Sequence, residues 1–192
     1  MKRVLEYVIG LILIAGAAAG ILLALNNSKN HNDNSHPASI QKKTANIPVK
    51  KQACGIFTLS DAKQLLGDSA KGGDNQADTS SADIDVSICN YLQDLSNSNT
   101  PVSISKSASL TVKIPKTDSG IKSNQGQFGP IKPGGVEDIS GYGDAAYWDP
   151  GHGQLDILKN NIWYILSYGS ITPASRSLDE AKQMADLLID KM

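Results

Sequence analysis

Residues 145–168 read AAYWDPGHGQLDILKNNIWYILSY, a stretch that predicts three consecutive antiparallel strands. Apolar and aromatic residues fill three runs, which are 145–148, 154–159 and 162–168. Residues 149–153 carry the turn formers Pro and Gly, and Asn160-Asn161 forms a tolerable two-residue hairpin turn because Asn accepts a positive φ. The carboxyl-terminal part of the chain therefore predicts a three-strand meander.

Two helices flank the predicted strands. Thr58 and Asp61 match a capping box in its Asp form, which opens a short helix that Gly67 ends. Ser177 and Glu180 form a second capping box at the start of a carboxyl-terminal helix. That helix carries one apolar stripe, formed by Leu178, Ala181, Met184, Ala185 and Leu188. We expect this stripe to pack on the sheet.

Two further strands and two loops are predicted before the meander. Residues 86–91, around Cys89, are rich in apolar side chains, and residues 109–114 alternate as a half-buried strand does. Residues 72–85 predict a polar loop, and the Gly- and Pro-rich residues 117–135 predict a long loop or mobile flap. The whole predicts an α+β domain in which an antiparallel sheet carries helices packed on one face.

Charge divides the chain unevenly. Residues 1–52 hold seven Lys and Arg against two acids, a balance of +5, whereas residues 53–192 hold eleven against seventeen, a balance of −6. A protein that binds a nucleic acid duplex needs a basic surface, so this balance argues against nucleic acid as a partner. An excess of acidic residues most often forms a solvated surface that keeps a domain soluble.

The amino-terminal segment has the composition of a membrane anchor. Residues 7–25 are uncharged and mostly apolar, close to the length that spans a bilayer core. Lys2 and Arg3 precede them, so the positive-inside rule places a short stub in the cytoplasm and the rest of the chain outside. We therefore predict a single-pass anchor, residues 1–25, that contacts membrane lipid. A cleaved signal peptide is the alternative, since residues 17–19 (AAA) resemble a cleavage site.

A polar linker follows the anchor. Residues 26–52 are rich in Asn, Ser, Lys and Gln and lack apolar periodicity, so they cannot bury enough apolar surface to offset the entropy of ordering. We predict a disordered tether here. His31 and His36 lie within it, and two His without a fixed scaffold are more typical of a linker than of a metal site.

The chain has two cysteines, Cys54 and Cys89, both in the part predicted to be exported. An oxidising compartment favours a disulfide between them. Closing this loop would stabilise the fold by roughly 3–4 kcal/mol in the chain-entropy model. Two free thiols or a redox pair are the alternatives, although neither a C-x-x-C spacing nor a neighbouring His supports them.

Several short motifs resemble landmarks of one family. Residues 54–67 (CGIFTLSDAKQLLG), 89–91 (CNY), 141–148 (GYGDAAYW) and the carboxyl-terminal helix are similar to a domain of unknown function found in actinomycete-type bacterial surface lipoproteins. The resemblance covers most of residues 53–192. It implies an exported α+β domain with a disulfide between its two cysteines and a non-enzymatic or unknown role. This chain differs by carrying a predicted membrane helix in place of a lipidated cysteine.

The sequence contains no arrangement typical of a catalytic or metal site. His152 is the single His of residues 53–192 and lies in a Gly-flanked turn, a poor place for the base of a Ser-His-Asp site with Asp149 or Asp156. The acids of residues 74–85 do not follow the spacing of a calcium loop. We expect no metal, no cofactor and no catalysis.

Aromatic residues are concentrated on the meander. Six of the nine aromatic residues of the predicted domain lie between Tyr142 and Tyr168. On a strand, Tyr164 and Trp163 face opposite sides of the sheet, so core packing accounts for one of the two faces. If the second face is open, it presents Tyr and Trp, which are common anchors of binding surfaces. The candidate ligand-binding residues are Tyr147, Trp148, Trp163 and Tyr164.

These features favour a membrane-tethered, extracytoplasmic binding or interaction module without catalysis. Its partner would be an envelope protein or a small molecule bound through the meander. An envelope enzyme that uses acidic residues such as Asp144 and Asp149 is one alternative, and a structural accessory subunit of a membrane complex is another. We thus divide the chain into an anchor (1–25), a linker (26–52) and an extracytoplasmic α+β domain (53–192).

Overall fold

The strands form one antiparallel sheet in the computed structural model, which describes residues 52–76, 80–96 and 105–192. These residues contain seven strands and four α-helices. In chain order the elements are α1 (Ala53–Ile56), α2 (Leu59–Leu66), β1 (Ala70–Gln76), β2 (Ile84–Gln93), β3 (Lys106–Pro115), α3 (Asp118–Gly126), β4 (Glu137–Asp138), β5 (Ala145–Asp149), β6 (Gln154–Lys159), β7 (Ile162–Ser170) and α4 (Leu178–Leu188). The predicted α+β class is confirmed.

The order of strands across the sheet is β1-β2-β3-β7-β6-β5-β4. Strands β5, β6 and β7 form the predicted meander, and Asn160 and Asn161 make its tight turn with φ values of 53° and 65°. Strand β3 pairs with β7, which joins the earlier strands β1 to β3 to the meander in one sheet. The turn residues and the alternation of apolar side chains therefore predict this half of the sheet correctly.

Helices α1, α2 and α4 pack on one face of the sheet, which we call the helix face. The Tyr91 hydroxyl donates a hydrogen bond to the carbonyl of Phe57, just after α1. The Tyr168 hydroxyl donates to the carbonyl of Leu65 in α2. The core on this face includes the fully or almost fully buried residues Leu110, Val112, Leu155, Ile157, Tyr164, Leu166, Ala181, Met184 and Leu188.

A disulfide joins Cys54 of α1 to Cys89 of β2, as the sequence predicts. Cys89 is fully buried on the helix face. Phe57, next to α1, packs edge-on against Tyr91 with ring centroids 4.9 Å apart. The bridge and this aromatic pair therefore fix the first helix to the second strand.

Both predicted capping boxes are formed. In the first, the Thr58 hydroxyl accepts from the backbone N–H of Asp61, and the Asp61 carboxylate accepts from the N–H of Thr58. Asp61 also accepts a 2.5 Å hydrogen bond from the Lys191 ammonium group, which ties α2 to the end of the chain. Burial raises the pKa of Asp61, but the hydrogen bonds from Lys191 and Thr58 outweigh it and leave this pKa below its usual value.

The predicted polar loop over residues 72–85 is wrong at both ends, where residues 72–76 and 84–85 belong to strands. Strand β1 extends to Gln76, and β2 begins at Ile84. The sequence of β1, AKGGDNQ, has no apolar alternation, so no pattern in it indicates a strand. Backbone pairing with β2 forms this strand at the edge of the sheet, with an irregularity between Gly72 and Asn75.

The predicted loop over residues 117–135 is wrong in its first half, where α3 lies. Gly120 approaches the carbonyl of Asp83 so closely that a Cβ there would clash with it. Asn124 is fully buried, and its side-chain amide donates to the carbonyl oxygens of Lys113 and Asn161. Gly and Asn are poor helix formers and therefore indicate a loop in the sequence. In the structure Gly120 and Asn124 instead hold this helix against the sheet.

The predicted anchor, residues 1–25, lies outside the described residues, as does the predicted linker 26–52 apart from its last residue. His31 and His36 lie outside them too. Within the described ranges, no helix combines the length and the apolar composition that crossing a bilayer requires. The anchor and the linker remain predictions.

Candidate functional site on the outer face of the sheet

The face opposite the helices, which we call the outer face, separates the four candidate aromatic residues. Strand alternation places Tyr147 and Trp163 on the outer face and Trp148 and Tyr164 on the helix face. Trp148 and Tyr164 belong to the buried core, where they are 6% and 1% exposed. Of the four residues, Tyr147 and Trp163 alone belong to the outer face, where Tyr147 is only 2% exposed and Trp163 is partly exposed.

Asp156 of β6 is the central polar group of the outer face. Its register partners are Tyr147 on β5 and Ile165 on β7. Its carboxylate accepts a 2.6 Å hydrogen bond from the indole N–H of Trp163, and the Tyr147 hydroxyl interacts with the same carboxyl group. Burial and this neighbouring carboxylate raise the pKa of Tyr147. Asp156 is only 3% exposed, so a carboxyl group is enclosed between two aromatic side chains.

Burial raises the pKa of Asp156 to about 6. The hydrogen bond from Trp163 and the charges of Lys113 and His152 act in the opposite direction, and the negative charge of Asp149 adds to the upward shift. An aspartate in water titrates near pH 4. Asp156 therefore exchanges its proton within reach of neutral pH, which an ordinary surface aspartate does not do.

Lys113 of β3 lies beside Trp163, its register partner on β7. The ammonium nitrogen is 3.6 Å from the centroid of the Trp163 ring, which is a cation–π contact. Burial lowers the pKa of Lys113, while the carboxylate of Asp156 opposes that shift. A cation, an indole and an acid thus meet on the outer face.

Phe128 covers this group from the connection between α3 and β4. Its ring centroid lies 5.1 Å from that of Tyr147 and 6.1 Å from that of Trp163. Because these two residues belong to β5 and β7, the Phe128 ring spans β6, the strand between them that carries Asp156. The Asp156 cluster, as we name it, consists of Asp156, Tyr147, Trp163, Lys113 and Phe128.

Asp149 and His152 form a hydrogen-bonded pair at the end of β5. The Nδ1 atom of His152 lies 2.7 Å from Oδ2 of Asp149. Oδ1 of Asp149 accepts from the backbone N–H groups of Gly151 and His152, which shapes the turn. The hydrogen bond to Asp149 raises the pKa of His152, whose side chain is 74% exposed. This pair has the turn-forming role that the sequence indicates.

Other acids singled out in the sequence also have structural partners. The Asp144 carboxylate accepts from the backbone N–H of Asn160 and so supports the turn between β6 and β7. Asp85 forms an ion pair of 3.1 Å with Lys116. In the part of the chain that the structure describes, no three His, Cys, Asp or Glu side chains are grouped so that they could hold a metal ion.

The sequence patterns do not place Asp156, Lys113 and Phe128 in one site. Two of the three leave a signal, because Asp156 interrupts the apolar run LDIL of β6 and Lys113 interrupts the run VKI of β3. A charged residue between apolar neighbours on a strand indicates either an exposed face or a buried charge with partners. Phe128 leaves no signal, since its contacts depend on where the α3–β4 connection crosses the sheet.

Comparison with other proteins assigns no function to this site. No protein-family model, no curated protein sequence and no solved structure matches the chain. The chemistry of the outer face therefore follows from its own residues. They offer a partly exposed indole, an ammonium group and an acid whose pKa is raised to about 6.

Proposed function

We propose that this chain is a membrane-tethered, extracytoplasmic binding module that does not catalyse and that engages an envelope protein or a small molecule through its outer face. The observation that carries the proposal is the Asp156 cluster. Trp163 is partly exposed there beside Lys113 and Phe128, unlike Trp148 and Tyr164 in the core. An aromatic side chain next to a cation is suited to desolvated contact with a partner.

The outer face continues beyond the cluster as a sheet surface. Ile165, Thr111 and Ile88 lie in one row across β7, β3 and β2 by register, and each is partly exposed. Helices α1, α2 and α4 lie on the opposite face. A partner that crosses these strands would contact this row and Trp163 together.

Export of the domain is supported by its disulfide. A bridge such as Cys54–Cys89 persists in an oxidising compartment. The apolar residues 7–25 supply the proposed anchor, with the amino terminus in the cytoplasm and residues 53–192 outside. The resemblance to surface-lipoprotein domains of unknown function belongs to the same proposal.

The test compares what the full chain and two variants retain. Trp163→Ala removes the indole of the cluster, and Leu59→Ala removes an apolar side chain of α2 that is 44% exposed. Each chain is purified from detergent-solubilised membranes, and the retained proteins and small molecules are identified by mass spectrometry. We expect Trp163→Ala to weaken retention by about tenfold, as for an anchor residue, and Leu59→Ala to leave it unchanged. Equal loss of retention in both variants, or the absence of any retained species, would exclude the outer face as the binding surface.

An envelope enzyme that uses acidic residues is the second candidate. Asp156 favours it, since a buried carboxyl group with a raised pKa is typical of a general acid. Asp144 and Asp149 fit less well because turn N–H groups and His152 occupy their carboxylates. Turnover of a retained species that disappears in Asp156→Asn would favour the enzyme. An accessory subunit would instead co-purify with a membrane complex in fixed stoichiometry, whether or not Trp163 is present.

A further inference from the structure

The segment that carries Phe128, residues 127–136, lies over the sheet with few attachments. Its backbone N–H groups at 127, 128, 129, 131 and 132 all donate to carbonyl groups at most five residues earlier in the chain. Lys132 pairs with Asp138 at 2.7 Å, just after the segment. The Phe128 side chain therefore makes the contacts that hold this segment to Tyr147 and Trp163.

The same segment buries little of itself. Ile131 is 56% exposed, so the largest apolar side chain besides Phe128 contributes little burial. Residues 134 and 135 are both Gly, and Gly135 has a φ of 79°, which residues with side chains rarely adopt. A short segment with local hydrogen bonds, one partly buried ring and a glycine pair near its end has the features of a movable element.

Asp156 lies beneath this segment among charged groups from several elements. The groups that face it are Asp149 and Tyr147 of β5, His152 of the β5–β6 turn, Lys113 of β3, and Asp138 of β4, which is paired with Lys132. Asp149 disfavours the charged form of Asp156, whereas Lys113 and His152 favour it. These influences do not offset the loss of hydration, so the closed segment favours a protonated Asp156.

We propose that residues 127–136 form a lid that closes over a protonated Asp156 and opens when Asp156 is ionised, which exposes Tyr147 and Trp163. The proposal rests on the proposed function in one respect, because it takes this aromatic surface as the binding surface. The lid would then make the surface available at neutral pH and cover it in mild acid.

The size of the effect follows from proton linkage. Opening returns the carboxylate to water, whereas closure keeps it in a dry site beside Trp163. A pKa raised from 3.8 to about 6 corresponds to a change of about 100-fold in the closed-to-open ratio between the protonated and the ionised form. The contact of one partly buried aromatic ring is weaker than this, so ionisation suffices to change which state is populated.

The test measures exposure of Trp163 in the full chain with Trp148→Phe, because Trp163 is then the single indole. Acrylamide quenching of its fluorescence is followed between about pH 4 and about pH 8, without ligand. We expect the quenching constant to rise several-fold, with a midpoint between pH 3.8 and about 6, the pKa values of the carboxyl group in the open and the closed form. Circular dichroism at each pH verifies that the fold is retained.

Three variants separate the lid from other titrations. Asp156→Asn keeps a neutral group of the same size and should keep quenching low at every pH. His152→Gln is the matched control, because His152 is a second titratable group whose charge acts on Asp156, and its own pKa is raised by Asp149; the transition should persist. Phe128→Ala should give strong quenching throughout. A flat profile in the parent, or an unchanged transition in Asp156→Asn, overturns the proposal.

Oxidative footprinting of the unsubstituted chain provides a second measurement, since Trp148 lies in the core. The peptides that contain Phe128 and Trp163 should become more reactive above pH 6, and other buried peptides should not. Both measurements are made without ligand. A missing transition therefore overturns the lid and leaves binding through the outer face untouched. If retention of the partner survives Trp163→Ala while the pH transition is present, binding through the outer face is overturned and the lid proposal stands.

Discussion

The two sides of the sheet each bury an aspartate, and the two carboxyl groups shift in opposite directions. Asp61 and Asp156 are 4% and 3% exposed, so solvent exposure does not distinguish them, although Asp156 is enclosed more deeply. Asp61 accepts hydrogen bonds from Thr58 and from the Lys191 ammonium group, and its pKa falls. Asp156 accepts one from the Trp163 indole, and burial raises its pKa to about 6. The depth of a buried acid and its hydrogen-bond partners therefore decide the sign of the shift together.

The same contrast extends to how each side is held. The helix face has a disulfide, two capping boxes and a continuous apolar core. The outer face over Asp156 is covered by a single ring from residues 127–136. We expect the helix side to determine global stability and the outer side to respond to pH.

The largest effect is expected at the disulfide. Replacing Cys54 and Cys89 together with Ser should lower the free energy of unfolding by about 3–4 kcal/mol, because the unfolded chain gains the entropy of an opened loop. Urea unfolding of the variant, and of the parent with and without reductant, measures this. A loss below about 1 kcal/mol would mean that the helix face does not depend on the bridge.

The next effect is the pH dependence that Asp156 introduces. Its pKa is raised in the folded state, so its contribution is fully present below pH 3.8 and is lost as pH rises through about 6. Relative to Asp156→Asn, the parent should therefore lose up to about 3 kcal/mol between about pH 4 and about pH 7. Parallel unfolding curves for the two chains at both pH values provide the measurement. The same pH dependence in both chains would assign it to another group.

A smaller effect of opposite sign is expected at Asp61. Its pKa is lowered in the folded state, so its contribution is present above pH 3.8 and is lost as pH falls. Asp61→Asn should cost about 1–2 kcal/mol near neutral pH, and this cost should vanish in acid. Lys191→Gln removes the other partner of the same ion pair and should lower the free energy of unfolding with the same pH dependence. If the cost of Asp61→Asn persists in acid, the ion pair is not its source.

The smallest effect is expected at Phe128. Phe128→Ala should lower the free energy of unfolding by about 1 kcal/mol, because the ring is only partly buried. Leu166→Ala, at a fully buried position of the helix face, should cost about 3 kcal/mol as the matched comparison. Unfolding midpoints in urea measure both. Equal costs would show that the outer face belongs to the core of the domain.

The meander was predictable because its signals are local. The Asn160-Asn161 turn and the DPGHG turn bound three apolar runs, and each run has the length of a strand. The disulfide was predictable too, since two cysteines in a domain predicted to be exported allow one pairing. The capping boxes at Thr58 and Ser177 mark helix starts through side chains only three residues away.

Strand β1 and helix α3 were not predictable from local pattern, because distant residues form them. Strand β1 is completed by the backbone of β2, and pairing needs no particular side chain. The Asn124 amide holds helix α3 in place by donating hydrogen bonds to carbonyl groups of β3 and of the Asn160-Asn161 turn. The second of these carbonyl groups is 37 residues away in the chain. A single apolar residue in its sequence, Ile121, gives no amphipathic stripe.

The candidate site was predictable in part. Alternation along β7 separates Trp163 from Tyr164, and the structure agrees. Alternation does not tell which of the two faces the helices cover, so Trp148 and Tyr164 entered the candidate set although they lie in the core. Phe128 packs on Tyr147 and Trp163, the neighbours of Asp156, although it is 28 residues earlier in the chain and reaches the sheet from a loop.

The position of the disulfide has a mechanical consequence. Cys54 lies at the start of the described domain, and its bridge leads directly to β2, the second strand from one edge of the sheet. Tension that enters from the amino-terminal side therefore passes through the sulfur atoms into β2. The residues between the two cysteines, with α2 and β1 among them, are bypassed and carry no load while the bridge is intact. Reduction would place that whole loop in the line of force.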